Sequence, residues 1–597
     1  MRILLINWAK IWDGAASGGG VNGYCQSLAL ELVSRGHDVA YLFAGVTSTP
    51  APLIGAHPGA TPCTIRRHAD WLGVRVFEAV DSPVLAPAAF QFRDPAGEAA
   101  NPGLAATFGA FVRRLEPDVV HFHNIEGLSA DCIRVIREPG QSPVVVYSIH
   151  NYHTICPQAY LLRNYTTPCM DFEGGVACET CIEAPDPGAE RAQRAAAYAR
   201  SVGFTSLSVS AAPAAPDRPA LPDYEGRLAG VQSRAESRPL AVPLPGQSCD
   251  GDAALAAPLP FEGSDSRGQT AAVLADRDPP RRPGPMDPEW QPVRNDLSRE
   301  PRVDPEDPAA NRYGVRRSRM IDALNTCDRV LAVSSYVKRR YEAAGVRPEL
   351  LSVQHIGTRI NRTVDRLREL AFEPPPFDPA RPRPIRLVFM GYNSVYKGLP
   401  MLADTLELLT PEYLARFHLF VFAQAGQSIE WRFRRMEPRL GGLTVFHGYQ
   451  HHDIPWMLGG KDLGVVPSVW WDNAPQTVFE FFACGLPVLA ANIGGIPDFV
   501  EEGRNGLLFT ANDRFDLARR LAEIARDPEA LKRLRANVRP PKDIRDHAAE
   551  LETVYSECLS SVSLPSAREP DVRVVVAPGA GRGAASVGEG GPVQAGL

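Results

Sequence analysis

The run from Pro467 to Phe509 constrains this chain more than any other, because it packs two acids, a helix start and two Gly turns into one short strand-helix-strand unit. An apolar stretch, Leu463 to Pro467, reads as a strand and runs into a polar loop holding Asp472 and Asn473. Pro475 suits the opening of a helix, where amide donors have no carbonyl partner, and Gly485 suits the left-handed residue that ends one. The unpaired amides near Gln476 and Thr477 then lie at the positive end of the helix dipole and favour a diphosphate. Glu480 stands on that helix, eight residues after Asp472, and the two carboxylates reach one ligand only because Asp472 is in the loop. Carboxylates accept hydrogen bonds in pairs from vicinal diols, which a ribose and a hexose both offer. A buried helix with a satisfied acid at its end is the plainer alternative.

The first half repeats the alternation. Ile3 to Asn7 reads as a strand, Val21 to Arg35 as a helix ended by Gly36, and Val39 to Phe43 as the next strand. This order predicts a doubly wound parallel sheet with ligands beyond the carboxyl ends of its strands. Gly18-Gly19-Gly20 lets a backbone approach a ligand closely, or serves as a flexible loop. It is not a G-x-G-x-x-G fingerprint, which argues against a nicotinamide cofactor. Asp118 to Asn124, DVVHFHN, is a buried strand ending in His121 and His123, and Val144 to Ile149 is another, ending at His150. These histidines are strand-end ligand groups or satisfied turn residues.

At 597 residues the chain exceeds one core. From about Pro185 to Asn311 it becomes rich in Ala, Pro, Arg, Asp and Gly without helical or strand periodicity, so this insertion reads as disordered, apart from a short helix at Ala189 to Arg200. The tail after Ser563 reads the same way. A net charge of -6 gives no drive toward nucleic acid. With no signal-like start and no long apolar run, the expectation is a cytoplasmic protein. Cys156, Cys169, Cys178 and Cys181 form a cluster whose C-x-x-C suits a structural zinc, or four unligated thiols. The basic residues Arg316, Arg317, Arg319, Lys338, Arg339 and Arg340 read as a solvated helix face, or as a peripheral contact with anionic lipid at the inner face of a membrane.

The stretch ACGLPVLAANIGGIPDFV, with Asp472 and Glu480 before it, resembles the acidic motif of retaining glycosyltransferases of family 4, the group 1 proteins. Their pattern is Glu, seven residues, Glu, then A-x-G-x-P-V and G-G-x-x-D/E, and here Asp472 replaces the first Glu. The resemblance implies an α/β chain of two Rossmann-like doubly wound domains facing a cleft, the GT-B fold. Residues 1–184 and 311–372 would form the acceptor domain, interrupted by the insertion at 185–310. A hinge at 373–384, a donor domain at 385–540, a crossing helix at 541–562 and a disordered tail at 563–597 would follow.

It also implies roles. Glu480 would hold the donor ribose, Asp472 the transferred sugar, and His123, in D-V-V-H-x-H, would lie near sugar and acceptor. SIHNYHTICP, with His150, resembles the H-D/N-Y-x-x-x-C-P segment of a subset. Gly391, Tyr392 and Lys397, in GYNSVYKG, occupy the family's G-R-x-x-x-x-K-G diphosphate grip, with Tyr392 in place of Arg. Gly19 and Gly20 fall at its first Gly-rich loop. Tyr449 falls in its F-x-G segment against the base, or is a core aromatic. Asn473, Gln476 and Thr477 complete the donor pocket. The implied activity is retaining transfer of a sugar from a nucleoside diphosphate sugar to a glycan or lipid-linked acceptor in polysaccharide or glycoconjugate synthesis, without a catalytic cofactor or metal. A degenerate binding protein and a nucleotide-sugar epimerase are the alternatives.

Overall fold

The computed structural model of the protein describes residues 1–16, 18–49, 63–88, 92, 94–137, 143–182, 187–201, 303–365, 373–378, 380–424 and 427–562. The expected disordered insertion falls largely on 202–302 and the tail on 563–597, both outside the described residues.

Two sheets carry the molecule. The first is built from β1 (Arg2–Ile6), β2 (Asp38–Ala44), β3 (Thr64–Arg67), β4 (Arg75–Val80), β5 (Val119–Phe122), β6 (Val144–Ile149), and, from beyond the insertion, β9 (Arg329–Ala332) and β10 (Leu351–Val353). A small hairpin, β7 (Leu162–Arg163) and β8 (Thr167–Pro168), lies between. The first sheet runs β10-β9-β6-β5-β1-β2-β4-β3, parallel throughout except for the antiparallel edge strand β3. Its inner strands read as apolar runs because helices cover both faces, and β5 and β6 are buried along their whole length. Strand order reverses between β1 and β5, and Ile6 stands opposite both Leu42 and Phe122. The strand ends therefore align on one edge, where a doubly wound sheet opens a crevice.

The second sheet comprises β11 (Ile385–Tyr392), β12 (Phe417–Gln424), β13 (Gly442–Phe446), β14 (Leu463–Val466), β15 (Val488–Ala491) and β16 (Gly506–Phe509). It is fully parallel in the order β13-β12-β11-β14-β15-β16, with its reversal between β11 and β14. Helix Ile544–Val562 follows the second domain and packs on the first, donating the Tyr555 and His547 side chains to contacts with His121 and Tyr24. Glu552 of the same helix takes both nitrogens of Arg35.

Two stretches of the 185–310 segment belong to the first domain, the short helix expected at Ala189 to Arg200 and the chain around Val303. Helix Pro187–Ser201 reaches back through Arg194, which donates to the carbonyls of Gly45 and Ala86, and Val303 O accepts from Ser318 Oγ at 2.6 Å. Few apolar residues recur in either stretch, so composition hides ordering supplied by arginine and backbone hydrogen bonds.

Candidate active site

The second-sheet reversal point holds the acids and the lysine. After β11 the chain makes a short turn through Lys397 to Gly398, whose φ is 77°. A Cβ on Gly398 would lie 1.7 Å from the carbonyl oxygen of Pro467, so only glycine lets the loops after β11 and β14 come this close. That approach brings Lys397 Nζ to donate to Asp472 Oδ2 at 2.8 Å, with Ser468 Oγ donating to the same oxygen at 3.4 Å. The ammonium also stands 5.4 Å from the Trp470 ring centre. Helix Gln476–Ala483 begins three residues after Asn473, with extended Pro475 as its cap residue and Gly485 at φ 70° just past its end, as the sequence predicts.

Glu480, half-buried on this helix, has its carboxyl pushed up to about 7 by burial, against the pull of Lys397. The Tyr449 phenol is held well above its ordinary range by burial, then by the charges of Glu480 and Tyr392. Tyr392 is raised by burial and by Glu480. The residue standing where the family pattern has Arg is therefore a phenol beside the buried acid. Tyr449 also packs against the apolar core.

The first domain contributes its strand-end histidines. His121 and His123 are buried, with ring centres 4.0 Å apart. His121 uses both nitrogens, Nδ1 with Tyr555 OH at 2.7 Å and Nε2 with Ser148 Oγ at 2.8 Å. His123 Nδ1 meets His150 Nε2 at 3.2 Å, while its Nε2 is buried without a hydrogen-bond partner. Burial pushes all three imidazoles well below their ordinary range, His150 to about 3, so they are neutral at physiological pH. The Tyr24 ring packs on His123 and His150 at 5.5 and 4.7 Å, and its hydroxyl meets His547 Nε2 at 2.7 Å.

The two halves touch through these groups. Asn473 Nδ2 donates to the carbonyl of His150 at 2.7 Å, Tyr152 OH donates to that of Trp471 at 2.8 Å, and Gln476 Nε2 donates to that of Gly20 at 2.8 Å. Helix Gly19–Ser34 and helix Gln476–Ala483 therefore present their first turns to the same cleft. Gly495 N donates to Asp472 O at 2.7 Å, and a Cβ on Gly495 would lie 2.0 Å from Asn473 O and 2.5 Å from Ser334 Oγ. Asp498 closes the contact, accepting from Ser335 N at 2.6 Å and pairing with His355 Nε2 at 3.0 Å. The G-G-x-x-D run thus fixes the acidic loop and caps a first-domain helix. Trp470, Trp471, Tyr152, His547 and Tyr555 surround the site without having been singled out in sequence. The doubled tryptophan ahead of Asp472 was the one available signal.

The cysteine cluster does not support a zinc site. Among the described residues no group of three or more His, Cys, Asp or Glu is placed to hold a metal ion. Cys169 Sγ donates to Asp171 O at 3.4 Å, and Cys181 Sγ accepts from Gln158 Nε2 at 3.1 Å and donates to Leu162 O at 3.6 Å. Burial raises the thiols of Cys156, Cys169 and Cys178, Cys169 to about 12. The segment serves as a wall instead: Tyr160 stacks on Tyr396 at 5.0 Å and meets Trp470 edge-on at 5.2 Å.

Of the six residues read as a basic face, Arg316, Arg317 and Arg340 are buried, while Arg319 and Lys338 are half-buried and Arg339 is exposed. Arg316 is fully buried, donating from Nε to Glu98 Oε2 at 2.7 Å and from Nη2 to His153 O at 2.7 Å. Arg317 is buried against the Phe172 ring, and Arg340 is buried as well. A guanidinium with a buried carboxylate partner satisfies the core, which spacing along the chain cannot distinguish from a solvated face. No helix among the described residues is long and apolar enough to cross a membrane.

Comparison with known proteins bears on the second domain most directly. Residues 384–527 match the family model for glycosyl transferases group 1. The protein named colanic acid biosynthesis glycosyltransferase WcaL of Salmonella typhimurium is 25% identical over 205 residues, 33% of this chain and 48% of that protein. D-inositol 3-phosphate glycosyltransferase of Streptomyces bingchenggensis is 46% identical over 70 residues, 12% of this chain and 15% of that one. The chain thus spans about half the length, or less, of these curated relatives. Among solved structures, sucrose-phosphate synthase of Thermosynechococcus elongatus superposes with a TM-score of 0.50 at 13% identity, covering 94% of this chain and all of that one. The fold is GT-B, two Rossmann-like domains about a cleft.

Proposed function

We propose that this chain, whose second domain is a glycosyl transferases group 1 domain, moves a sugar from a nucleoside diphosphate sugar to an acceptor hydroxyl with retention of anomeric configuration. The observation that carries this reading is the convergence of Lys397, Asp472 and the first turn of helix Gln476–Ala483 at the second-sheet reversal point, joined through Asn473 and His150 to His123. A diphosphate seated there meets one ammonium and the amides near Gln476 and Thr477, with Gly19 and Gly20 across the cleft. Glu480 takes the ribose hydroxyls and Tyr449 lies against the base, with Gly391 and Tyr392 beside them. Asp472 and His123 address the transferred sugar.

In the reaction the bond from the anomeric carbon to the diphosphate oxygen breaks, the acceptor oxygen bonds on the same face, and its proton passes to the departing diphosphate. The protein positions the partners and stabilises charge on the leaving group, which requires no side-chain base. The relative named for colanic acid biosynthesis supports a glycan acceptor.

Lys397 is paired with Asp472, and its charge also draws the Glu480 carboxyl down. Asp472 in place of the pattern's first Glu, and Tyr392 in place of its Arg, favour a second reading, a binding protein without turnover. The test is thermal stabilisation of the wild type and Glu480→Ala by UDP-, GDP- and ADP-sugars, followed by donor hydrolysis and product anomer analysis by NMR. A shift with one base that disappears in Glu480→Ala, followed by turnover with retention, supports the assignment. Stabilisation without turnover across acceptors supports the second reading, and no shift from folded protein rejects both.

A further inference from the structure

We propose that His150 is a positioning residue for His123, the tautomers of the two rings being coupled through their contact, and that Asn473, on the loop bearing the donor-side acid, holds the backbone of His150 in place. The proposal rests on the donor assignment above for its catalytic consequence, but its geometry stands apart from it.

The chain of contacts is short. Asp472, bonded to Lys397, is followed by Asn473, whose Nδ2 donates to the His150 carbonyl at 2.7 Å across the domain boundary. The His150 ring in turn meets His123 Nδ1 through Nε2 at 3.2 Å. His121, the other ring against His123, has both nitrogens engaged by Tyr555 and Ser148 and is not available to do the same. Two neutral imidazoles joined nitrogen to nitrogen share one hydrogen, so whether His123 Nδ1 accepts or donates is coupled to the tautomer of His150.

The other end of that choice is His123 Nε2, buried and without a partner, as is Asn473 Oδ1. Each lies on the same chain of contacts, and a buried polar atom without a partner is costly unless a ligand supplies one. With the two tautomers coupled, Nε2 presents either a hydrogen or a lone pair to a sugar hydroxyl, and the Asn473 contact helps hold the His150 ring against His123. Positioning the second domain and readying His123 are then one event.

The test uses the full chain labelled with 15N-histidine, the His123 signals being assigned by their loss in His123→Gln. Long-range imidazole spectra at pH 7 should show one neutral tautomer for His123 in the wild type. His150→Gln, whose terminal amide replaces the Nε2 contact, should keep a single tautomer, while His150→Phe should give a mixture and Asn473→Ala should move toward one. A mixture in the wild type, or identical spectra for His150→Phe and wild type, overturns the proposal. In parallel, hydrolysis of UDP-glucose, GDP-mannose and ADP-glucose is compared across the variants. For a donor that turns over, kcat should fall about tenfold in His150→Phe with KM unchanged and recover in His150→Gln, the scale of one lost hydrogen bond. Equal loss in both variants would reduce His150 to packing and overturn the proposal. If none of the three donors turns over, the spectra still decide the pairing, so failure of the donor assignment is read separately.

Discussion

If Glu480 holds the donor ribose as proposed, donor binding depends on pH, and the dependence follows from the surroundings of that carboxyl. Its carboxyl titrates at about 7 because burial outweighs the attraction of Lys397. The imidazoles of His121, His123 and His150 are pushed well below 6.5 by burial, so they stay neutral from pH 6 to 8. The phenols of Tyr392 and Tyr449 are pushed upward and stay protonated over the same range. If only ionised Glu480 accepts the two ribose hydroxyls, the apparent Kd scales as one plus ten to the power of pKa minus pH. Between pH 6 and 8 affinity for a sugar nucleotide should rise about tenfold, or about 1.4 kcal/mol. A sugar nucleotide is the proper probe because its diphosphate is esterified at both ends and does not titrate there. Calorimetric titration at pH 6, 7 and 8 should give this slope for the wild type and a flat, weaker profile for Glu480→Gln. The unfolded carboxyl titrates near its ordinary value of 4.5, below the folded one. The folded state therefore binds the extra proton in between, and stability falls as pH rises from about 4.5 to 7. Glu480→Gln removes that fall. A flat wild-type binding profile, or affinity that declines with pH, would refute the argument.

Other outcomes follow from the same contacts. Lys397→Met removes the attraction that lowers Glu480 and should move the midpoint of the binding profile above 7, read in the same titrations. Arg316→Met leaves Glu98 buried beside His153 and should destabilise the first domain by about 3–5 kcal/mol, measured as a shift of its denaturation midpoint. Gly495→Ala places a methyl 2.0 Å from Asn473 O; it should cost about 1–3 kcal/mol in thermal unfolding and weaken sugar nucleotide binding by displacing the acidic loop. Tyr555→Phe should cost about 1–3 kcal/mol in urea unfolding, because His121 Nδ1 loses its partner in a buried setting.

The order of apolar runs, glycines and caps by itself determined two doubly wound parallel sheets, since strand and helix periodicities are local and parallel strands need crossover helices. Helix Gln476–Ala483, its cap at Pro475 and its stop at Gly485 were legible because capping depends on neighbours in the chain. So were the positions of Lys397, Asp472 and His123, which stand where a loop leaves a strand. What the tertiary structure decided was which groups meet. Arg316 and Arg317 pass for a surface face until Glu98 and Phe172 arrive from far away in sequence. The cysteines pass for a metal set until the thiols of Cys169 and Cys181 are found bonded to carbonyls and to Gln158. His547 and Tyr555 lie more than four hundred residues beyond the groups they contact, and Asn473 sits on His150 rather than among donor contacts alone. Burial and partner choice set ionisation and tautomer. Both depend on contacts between distant segments, which residue spacing along a chain does not encode.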